Sequence, residues 1–262
     1  MNILDRSGLK IKNNLSYFQS QDIANLGWVQ HAFLTRQGGV SLPPYDSLNL
    51  GDKNGDHREC VSTNKNLIAR TFDFDPSRLV LLDQMHQDQI LLLKKPGANL
   101  PSPLEYDALI TNFSNIYPAI LTADCLPIFV VDQKKRATAA IHAGRNGTAL
   151  HITRKVLMKM KEEFGCSSED LLVTLGPSIG ACCYEIDEKA FHPEWGPFST
   201  SKGMGKWMTD LAQINVAQMK GEGVKEDQIS WINLCTHCCS DLFFSHRREG
   251  RTGRQLSFIG II

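Results

Sequence analysis

The sequence lacks several things, and each absence excludes a class of function. It has no surplus of charge: 28 basic residues balance 28 acidic ones. No global field therefore draws the chain to nucleic acid or to an anionic membrane. No apolar run approaches the roughly 20 residues that a membrane helix needs. The opening stretch MNILDRSGLKIKNN has neither the apolar core nor the cleavage pattern of a secretory leader, so a cytoplasmic setting is expected. Internal repeats, low-complexity tracts and linkers are all missing. Among eight histidines there is no His-x-His pair. What remains is an ordinary globular composition, 262 residues with 42% hydrophobic and 21% charged. That length is ample for a core and is expected to form one domain over residues 1–262.

Cysteine is not scarce. Eight are present, at 60, 125, 166, 182, 183, 235, 238 and 239. Disulfide frameworks belong to small secreted chains, so most of these should be reduced thiols, available for metal binding or catalysis.

The most informative stretch is 118–148, PAILTADCLPIFVVDQKKRATAAIHAGRNGT. It reads as three buried strands with a reactive residue at each break: Pro118–Ala123 ends at Asp124-Cys125, Leu126–Val131 follows, and Ala137–Ile141 is closed by His142. Further strands are expected at Leu15–Phe18, Val29–Leu34, Leu79–Leu82, Ile90–Leu93, Asp107–Thr111, Leu171–Leu175 and Ile229–Leu234. Helical spacing marks 57–72, 148–164 and 210–219, with Gly165 as a C-cap. Residues 186–208 look irregular, and the tail FFSHRREGRTGRQLSFIGII looks like a hairpin turning at Glu249–Gly253. The polar loop from Arg36 to Gly51 is long enough to expect a task of it.

His86, Cys125 and His142 each follow a strand-like run, so each should project from the end of a sheet. Two imidazoles and a thiolate are zinc ligands, and three of them leave a fourth position open. Spacing alone also allows a buried cysteine and two hydrogen-bonded core histidines. A metal-free alternative makes Cys125 a nucleophile with His142 as base and Asp124 nearby. Cys235-x-x-Cys238 is half of a structural zinc site. Its only possible complement is Cys182-Cys183, whose adjacent side chains seldom both reach one tetrahedral metal, so these thiols are expected to be buried and to line a pocket. The glycine turn Gly144–Thr148 at a helix start, with Arg145, suits an anion, or is simply a tight turn. Arg247, Arg248, Arg251 and Arg254 form a basic run suited to phosphate, or a solvated basic hairpin.

The blocks QMHQDQI, EYDALITN, LTADCLPI, AAIHAGRNGT, GPSIGACCYEI, CTHC and FFSHRREGRTGRQLSFIGI together resemble the YfiH/YlmD family, in family order from about Arg36 to the C-terminus. That family is described both as multicopper polyphenol oxidoreductases (laccase-like) and as purine nucleoside phosphorylases. The resemblance implies an α+β, mixed α/β fold, a single-domain α/β/β/α sandwich distantly similar to the cytotoxic necrotising factor toxins. It implies zinc on His86, Cys125 and His142, phosphorolysis of adenosine, inosine and methylthioadenosine, and deamination of adenosine. Some bacterial members are described as peptidoglycan editing factors, which keeps a Cys-His hydrolase as an alternative. Copper-dependent phenol oxidation is the other, although a multicopper laccase needs many more clustered histidines. Three motifs depart from the family pattern, at four positions: Gln87 replaces a glycine, Arg145-Asn146 replace a tryptophan and an arginine, and His237 replaces a tyrosine.

The expected partners are a purine nucleoside and phosphate, with no nucleic acid and no membrane. Asp124, Cys125 and His142 are the expected catalytic residues, Asp124 protonating the leaving ammonia. Arg36 with Arg247 or Arg248 is expected to hold phosphate. Asn49 and Tyr45 are expected to contact a nucleoside as the 36–51 loop closes over it.

Overall fold

The computed structural model describes residues 8–94 and 103–262. Residues 1–7, part of the opening stretch where no secretory leader is expected, lie outside the described residues. In chain order the strands are β1 (Lys10–Lys12), β2 (Leu15–Phe18), β3 (Val29–Leu34), β4 (Leu79–Leu81), β5 (Ile90–Leu93), β6 (Ala108–Thr111), β7 (Tyr117–Thr122), β8 (Leu126–Asp132), β9 (Ala137–Ala143), β10 (Leu171–Leu175), β11 (Glu185–Asp187), β12 (Ser199–Gly203), β13 (Lys206–Thr209), β14 (Ile229–Trp231) and β15 (Gln255–Ile261). The α-helices are α1 (Gln21–Ala24), α2 (Arg58–Phe72), α3 (Arg145–Ala149), α4 (Ile152–Phe164), α5 (Leu211–Gly221) and α6 (His246–Glu249). Two six-stranded sheets run β1-β2-β3-β15-β7-β4 and β14-β10-β8-β9-β6-β5, and β11-β13-β12 make a small third sheet.

The central strands of the two large sheets are buried on both faces, which is why β7, β8 and β9 are near-continuous apolar runs rather than alternating ones. Every residue of β8, β9 and β15 is buried. Three apolar layers result. Ile68 and Phe72 of α2 pack on Tyr17, Leu34 and Phe258 of the first sheet. Phe33 of the first sheet stacks on Phe129 of the second at 4.5 Å between ring centroids, at the centre of the inter-sheet layer. Ile152, Val156 and Met160 of α4, with Leu211 and Met219 of α5, cover the outer face of the second sheet. The order is helix, sheet, sheet, helix, the expected α/β/β/α sandwich. Deleting a ring such as Phe129 from this middle layer would cost about 3–5 kcal/mol.

The β8–β9 hairpin, which carries the centre of the site, closes through a side-chain turn: Asp132 Oδ1 accepts the backbone N–H groups of Lys134 and Lys135 at 2.8 and 2.7 Å. Among the described residues no helix is long and apolar enough to cross a membrane.

Four expectations are corrected. The tail is not a hairpin: β15 already pairs with β3 on one side and β7 on the other, so no edge is left for residues 243–249. Those residues instead turn through α6. Residues 186–208, expected to be irregular, contain β12 and most of β11 and β13. β12 is largely exposed and β13 only partly buried, so no buried apolar run betrays them. The helix expected from 148 breaks at His151, whose left-handed φ of 59° separates α3 from α4 and leaves Leu150 exposed. The 36–51 loop is not an open flap. Asn64 fastens it by accepting the Val40 N–H and donating to Ser41 Oγ, Ser47 O and Asn49 O, while Tyr45, Leu48 and Leu50 are buried.

Candidate active site

The reactive residues sit where the chain crosses between the two large sheets. β4 and β7 belong to the first sheet, β5 and β8 to the second. His86 lies on the β4–β5 crossing and Cys125 on the β7–β8 crossing. His142 is the penultimate residue of β9, paired with Pro127 of β8. Cys125 and His142 thus stand at strand ends, as expected. His86 instead occupies a loop well beyond β4, in a left-handed conformation with φ 57°.

The three side chains converge. His86, Cys125 and His142 each offer a ligand atom, all within 4.8 Å of one another. The imidazole rings are 4.7 Å apart and near-perpendicular at 77°. Gly144 makes the approach possible. A Cβ there would lie 3.1 Å from His86 Nδ1 and 3.2 Å from Cys125 Sγ, tighter than ordinary van der Waals contact.

Asp107 holds the arrangement in place, and sequence reasoning assigned it no role. It is fully buried at the head of β6. Its carboxylate accepts the backbone N–H groups of Met85, His86 and Gln87 at 3.1, 3.0 and 2.8 Å, fixing the His86 loop. Its Oδ1 also lies 2.7 Å from His142 Nδ1. That contact leaves His142 Nε2 to face the cluster, the usual way a carboxylate orients a metal-ligating histidine. The available signal was an aspartate opening an otherwise apolar buried strand.

The charges within the cluster are coupled. Burial alone would raise the Cys125 thiol, but the facing His142 charge and hydrogen bonds from His142 and His86 outweigh it and hold it at about 6. Burial would likewise lower His142, yet the Cys125 thiolate and the Asp107 carboxylate lift it to about 9. Without a metal, the pair at neutral pH is thiolate and imidazolium. The donor set, two nitrogens and one sulfur on an anchored scaffold with room between them, fits a borderline-soft divalent ion.

The cluster opens into a cavity of about 670 Å³. Met85, Ile179 and Tyr184 contribute apolar wall; Arg247, Arg254 and Lys53 contribute positive charge. Arg247 spends Nη1 on the Glu185 carbonyl and Arg254 spends Nη1 on the Thr252 and Gly253 carbonyls. Burial lowers the pKa of Arg254, while the Cys125 and Asp124 charges oppose that shift. Burial pushes the Tyr184 phenol up to about 12, so it faces the cavity as a neutral group.

Four expected substrate contacts, Arg36, Asn49, Arg248 and Tyr45, are not on this wall. Arg36 is spent elsewhere: Nε donates to the Asp46 carbonyl, Nη1 to the Ser240 carbonyl and Glu249, and Nη2 to the Asp46 carboxylate. Asn49 is fully buried, donating to Asp56 Oδ2 at 2.8 Å and accepting from the N–H groups of Gly51 and Arg254. Arg248 donates to the carbonyls of Thr236, His237 and Phe243. Each is held by other protein groups, and none of them lines the cavity. Tyr45 donates to the carbonyl of Asn54 and accepts from Arg251 Nε. Asp124 does line the cavity, but Oδ1 accepts from Thr236 Oγ1 and Oδ2 from the Arg247 N–H, both at 2.7 Å.

The expected pocket of buried cysteines is also corrected. Cys182, Cys183, Cys235 and Cys238 meet in a second cluster with all sulfurs within 4.8 Å, outside the cavity wall, and Cys182 and Cys238 are exposed.

The sequence model of a family described as multi-copper polyphenol oxidoreductase laccase matches residues 30–262. The chain belongs to this family. Among solved members of the YfiH/YlmD kind, it is similar to YlmD from Geobacillus stearothermophilus, 29% identical with a TM-score of 0.88, covering 96% of this chain and 97% of that one. It is equally similar to a Bacillus licheniformis hypothetical protein YfiH, 29% identical with a TM-score of 0.87 over 97% and 99% of the two chains. A relative named purine nucleoside phosphorylase, from Bacteroides thetaiotaomicron, is 35% identical over 96% of this chain and 97% of its own length. The human purine nucleoside phosphorylase LACC1 is 32% identical over 88% of this chain but only 55% of its own length. The laccase wording and the phosphorylase names within the family call for different chemistry, and the residues of the cavity bear on the choice.

Proposed function

We propose that the cavity is the active site of a zinc-dependent purine nucleoside phosphorylase acting on adenosine, inosine and methylthioadenosine, with adenosine deamination as a second activity. The observation that carries this reading is the convergence of His86, Cys125 and His142 on a cavity whose wall also bears Arg247 and Arg254. His86, Cys125 and His142 would hold the zinc, which when bound supplies Lewis-acid chemistry. The relatives named purine nucleoside phosphorylase support the substrate class.

In phosphorolysis a phosphate oxygen forms a bond to C1′ of the ribose, the C1′–N9 bond breaks, and its electron pair leaves with the base, which takes up a proton. Arg247 and Arg254 are assigned to the phosphate, in place of Arg36 and Arg248. Tyr184 and Ile179 offer apolar surface to a purine, and water is excluded as they cover it. In deamination a water oxygen adds at C6 and ammonia departs with a proton. Asp124 was expected to supply that proton. Its two hydrogen bonds favour a different task, holding Arg247 and the 236 turn against Cys125.

A second reading rests on a specific observation. Cys125, His142 and Asp107 form a thiol–imidazole–carboxylate chain with the thiol at about 6. That is the layout of a Cys-His hydrolase, for which a peptidoglycan fragment would be a substrate. Copper laccase chemistry is poorly supplied with ligands: among the described residues the two clusters fit to hold a metal contain only two histidines between them.

Incubation of the protein with adenosine, with and without phosphate, separates these readings by chromatography. Adenine and ribose-1-phosphate that require phosphate are expected, with inosine as the deamination product. Their loss in both His86→Ala and Cys125→Ala is expected. Full activity in both variants would overturn the assignment. Insensitivity to chelators combined with loss on thiol alkylation would favour the hydrolase.

A further inference from the structure

Outside the cavity, four cysteines from two turns meet at the surface. Cys182 and Cys183 lie in the turn between β10 and β11, and Cys235 and Cys238 in the turn after β14. The turns are registered side by side by an isolated parallel bridge between Ser178 and Cys235, and Thr236 N–H donates to Ser178 O at 3.0 Å. All four sulfurs lie within 4.8 Å of one another. Cys238 Sγ is 3.7 Å from Cys182 Sγ and 3.4 Å from Cys183 Sγ. The sulfur edge of a tetrahedral zinc site with Zn–S of ~2.3 Å is roughly 3.8 Å, so closing the sulfurs around one ion needs shifts of only a few tenths of an ångström for these pairs. A disulfide would require one pair to contract to ~2.05 Å.

Core packing does not explain the grouping, because Cys182 and Cys238 are exposed and only Cys235 is buried. Cys235 Sγ also accepts the Gly180 N–H at 3.3 Å. Such N–H···S bonds from a turn stabilise a ligating thiolate. The objection that neighbouring cysteines cannot share a metal is met by the turn itself, which aims both Cys182 and Cys183 at Cys238.

We propose that Cys182, Cys183, Cys235 and Cys238 form a structural zinc site with a closed four-sulfur shell. With all four positions taken by protein, such an ion has no place for substrate, and its task is to clamp. The clamped turns lead directly into the cavity wall. Ile179 and Tyr184 flank the first cysteine pair, and Thr236, between the second pair, donates to Asp124 beside Cys125. The site does not depend on the reaction assigned to the cavity.

The test is metal analysis of the full chain purified under reducing conditions with zinc present. Wild type is expected to hold two zincs, and the His86→Ala/His142→Ala double variant one. X-ray absorption on that double variant is expected to show four sulfurs at ~2.3 Å and no nitrogen shell. Adding Cys238→Ser, at an exposed position, is expected to release the remaining zinc to a chelator concentration that leaves the double variant loaded. Wild type holding a single zinc that the double variant loses would overturn the proposal. So would a disulfide from Cys238 to Cys182 or Cys183 found by non-reducing peptide mass spectrometry of the freshly isolated protein.

Discussion

Among the described residues, soft ligands gather in two places, and these are built differently. His86 and Cys125 stand on crossings between the two large sheets and His142 at the end of β9; a fully buried carboxylate ties His86 and His142 down, and all three face a cavity. The four cysteines stand on surface turns, joined by one β-bridge, and lie outside the wall of that cavity. Three mixed ligands leave a vacancy where chemistry can occur; four identical ones leave none. On the readings proposed above, cysteine would serve a reactive role in one place and a fastening role in the other. What separates them is the number of ligands and what lies beside them.

The comparison is broken most severely at the reactive cluster. His142→Ala or His86→Ala is expected to cost about a thousandfold in phosphorolysis rate, because Lewis-acid assistance is worth several kcal/mol and each 1.36 kcal/mol is tenfold. Steady-state turnover checks this, and Cys182→Ser at the fastening cluster should by contrast act mainly on melting temperature.

Next comes Asp107→Asn. Its carboxylate is ionised and buried, facing three N–H groups and His142. An amide places N–H against N–H, so a loss of roughly 10–100-fold in zinc affinity at this cluster is expected, with about 1–3 kcal/mol of stability. Chelator competition and denaturant titration read the two effects separately.

Among the arginines, Arg254→Ala is expected to raise the KM for phosphate by roughly tenfold or more, the value of a charge-assisted hydrogen bond. Arg36→Ala, which removes bonds to Asp46, Ser240 and Glu249, should leave that KM unchanged and lower the melting temperature.

The smallest effect per step is in pH. A metal needs Cys125 as thiolate and His142 neutral. His142 is protonated below about 9 and Cys125 below about 6. Zinc affinity at this cluster should therefore rise about tenfold per pH unit from roughly 6 to 9, level off above, and fall more steeply below 6 as the thiol also gains a proton. Affinity measured across pH in the Cys238→Ser background isolates this cluster.

How much of this was legible in the sequence follows from what burial does to a pattern. β8 and β9 are buried throughout, and β7 at every residue but Leu121, so their uninterrupted apolar runs made both the strands and the reactive residues at their ends visible. β12 is largely exposed and β13 only partly buried, and neither carried such a signal. The hairpin reading of the tail failed because β15 is a central strand, a fact that depends on partners more than a hundred residues away. Asp107 was missed because its role is spatial: its bonds to the 85–87 loop and to His142 join segments distant in sequence. The basic run was read as one unit, yet the fold splits it. Arg247 and Arg254 turn to the cavity while Arg248 caps carbonyls of the turn beneath it. Read as extended chain, adjacent Cys182 and Cys183 point apart; the turn they occupy instead brings both sulfurs within 3.7 and 3.4 Å of Cys238 Sγ.

The most direct test follows one preparation through three states. Turnover of inosine with phosphate is measured on the protein as isolated, after removal of metal by chelation, and after zinc is returned. Hypoxanthine and ribose-1-phosphate should form, vanish with the metal, and return with zinc. Stripped protein, verified free of metal, that turns over at the original rate would contradict the assignment of His86, Cys125 and His142 to a catalytic ion.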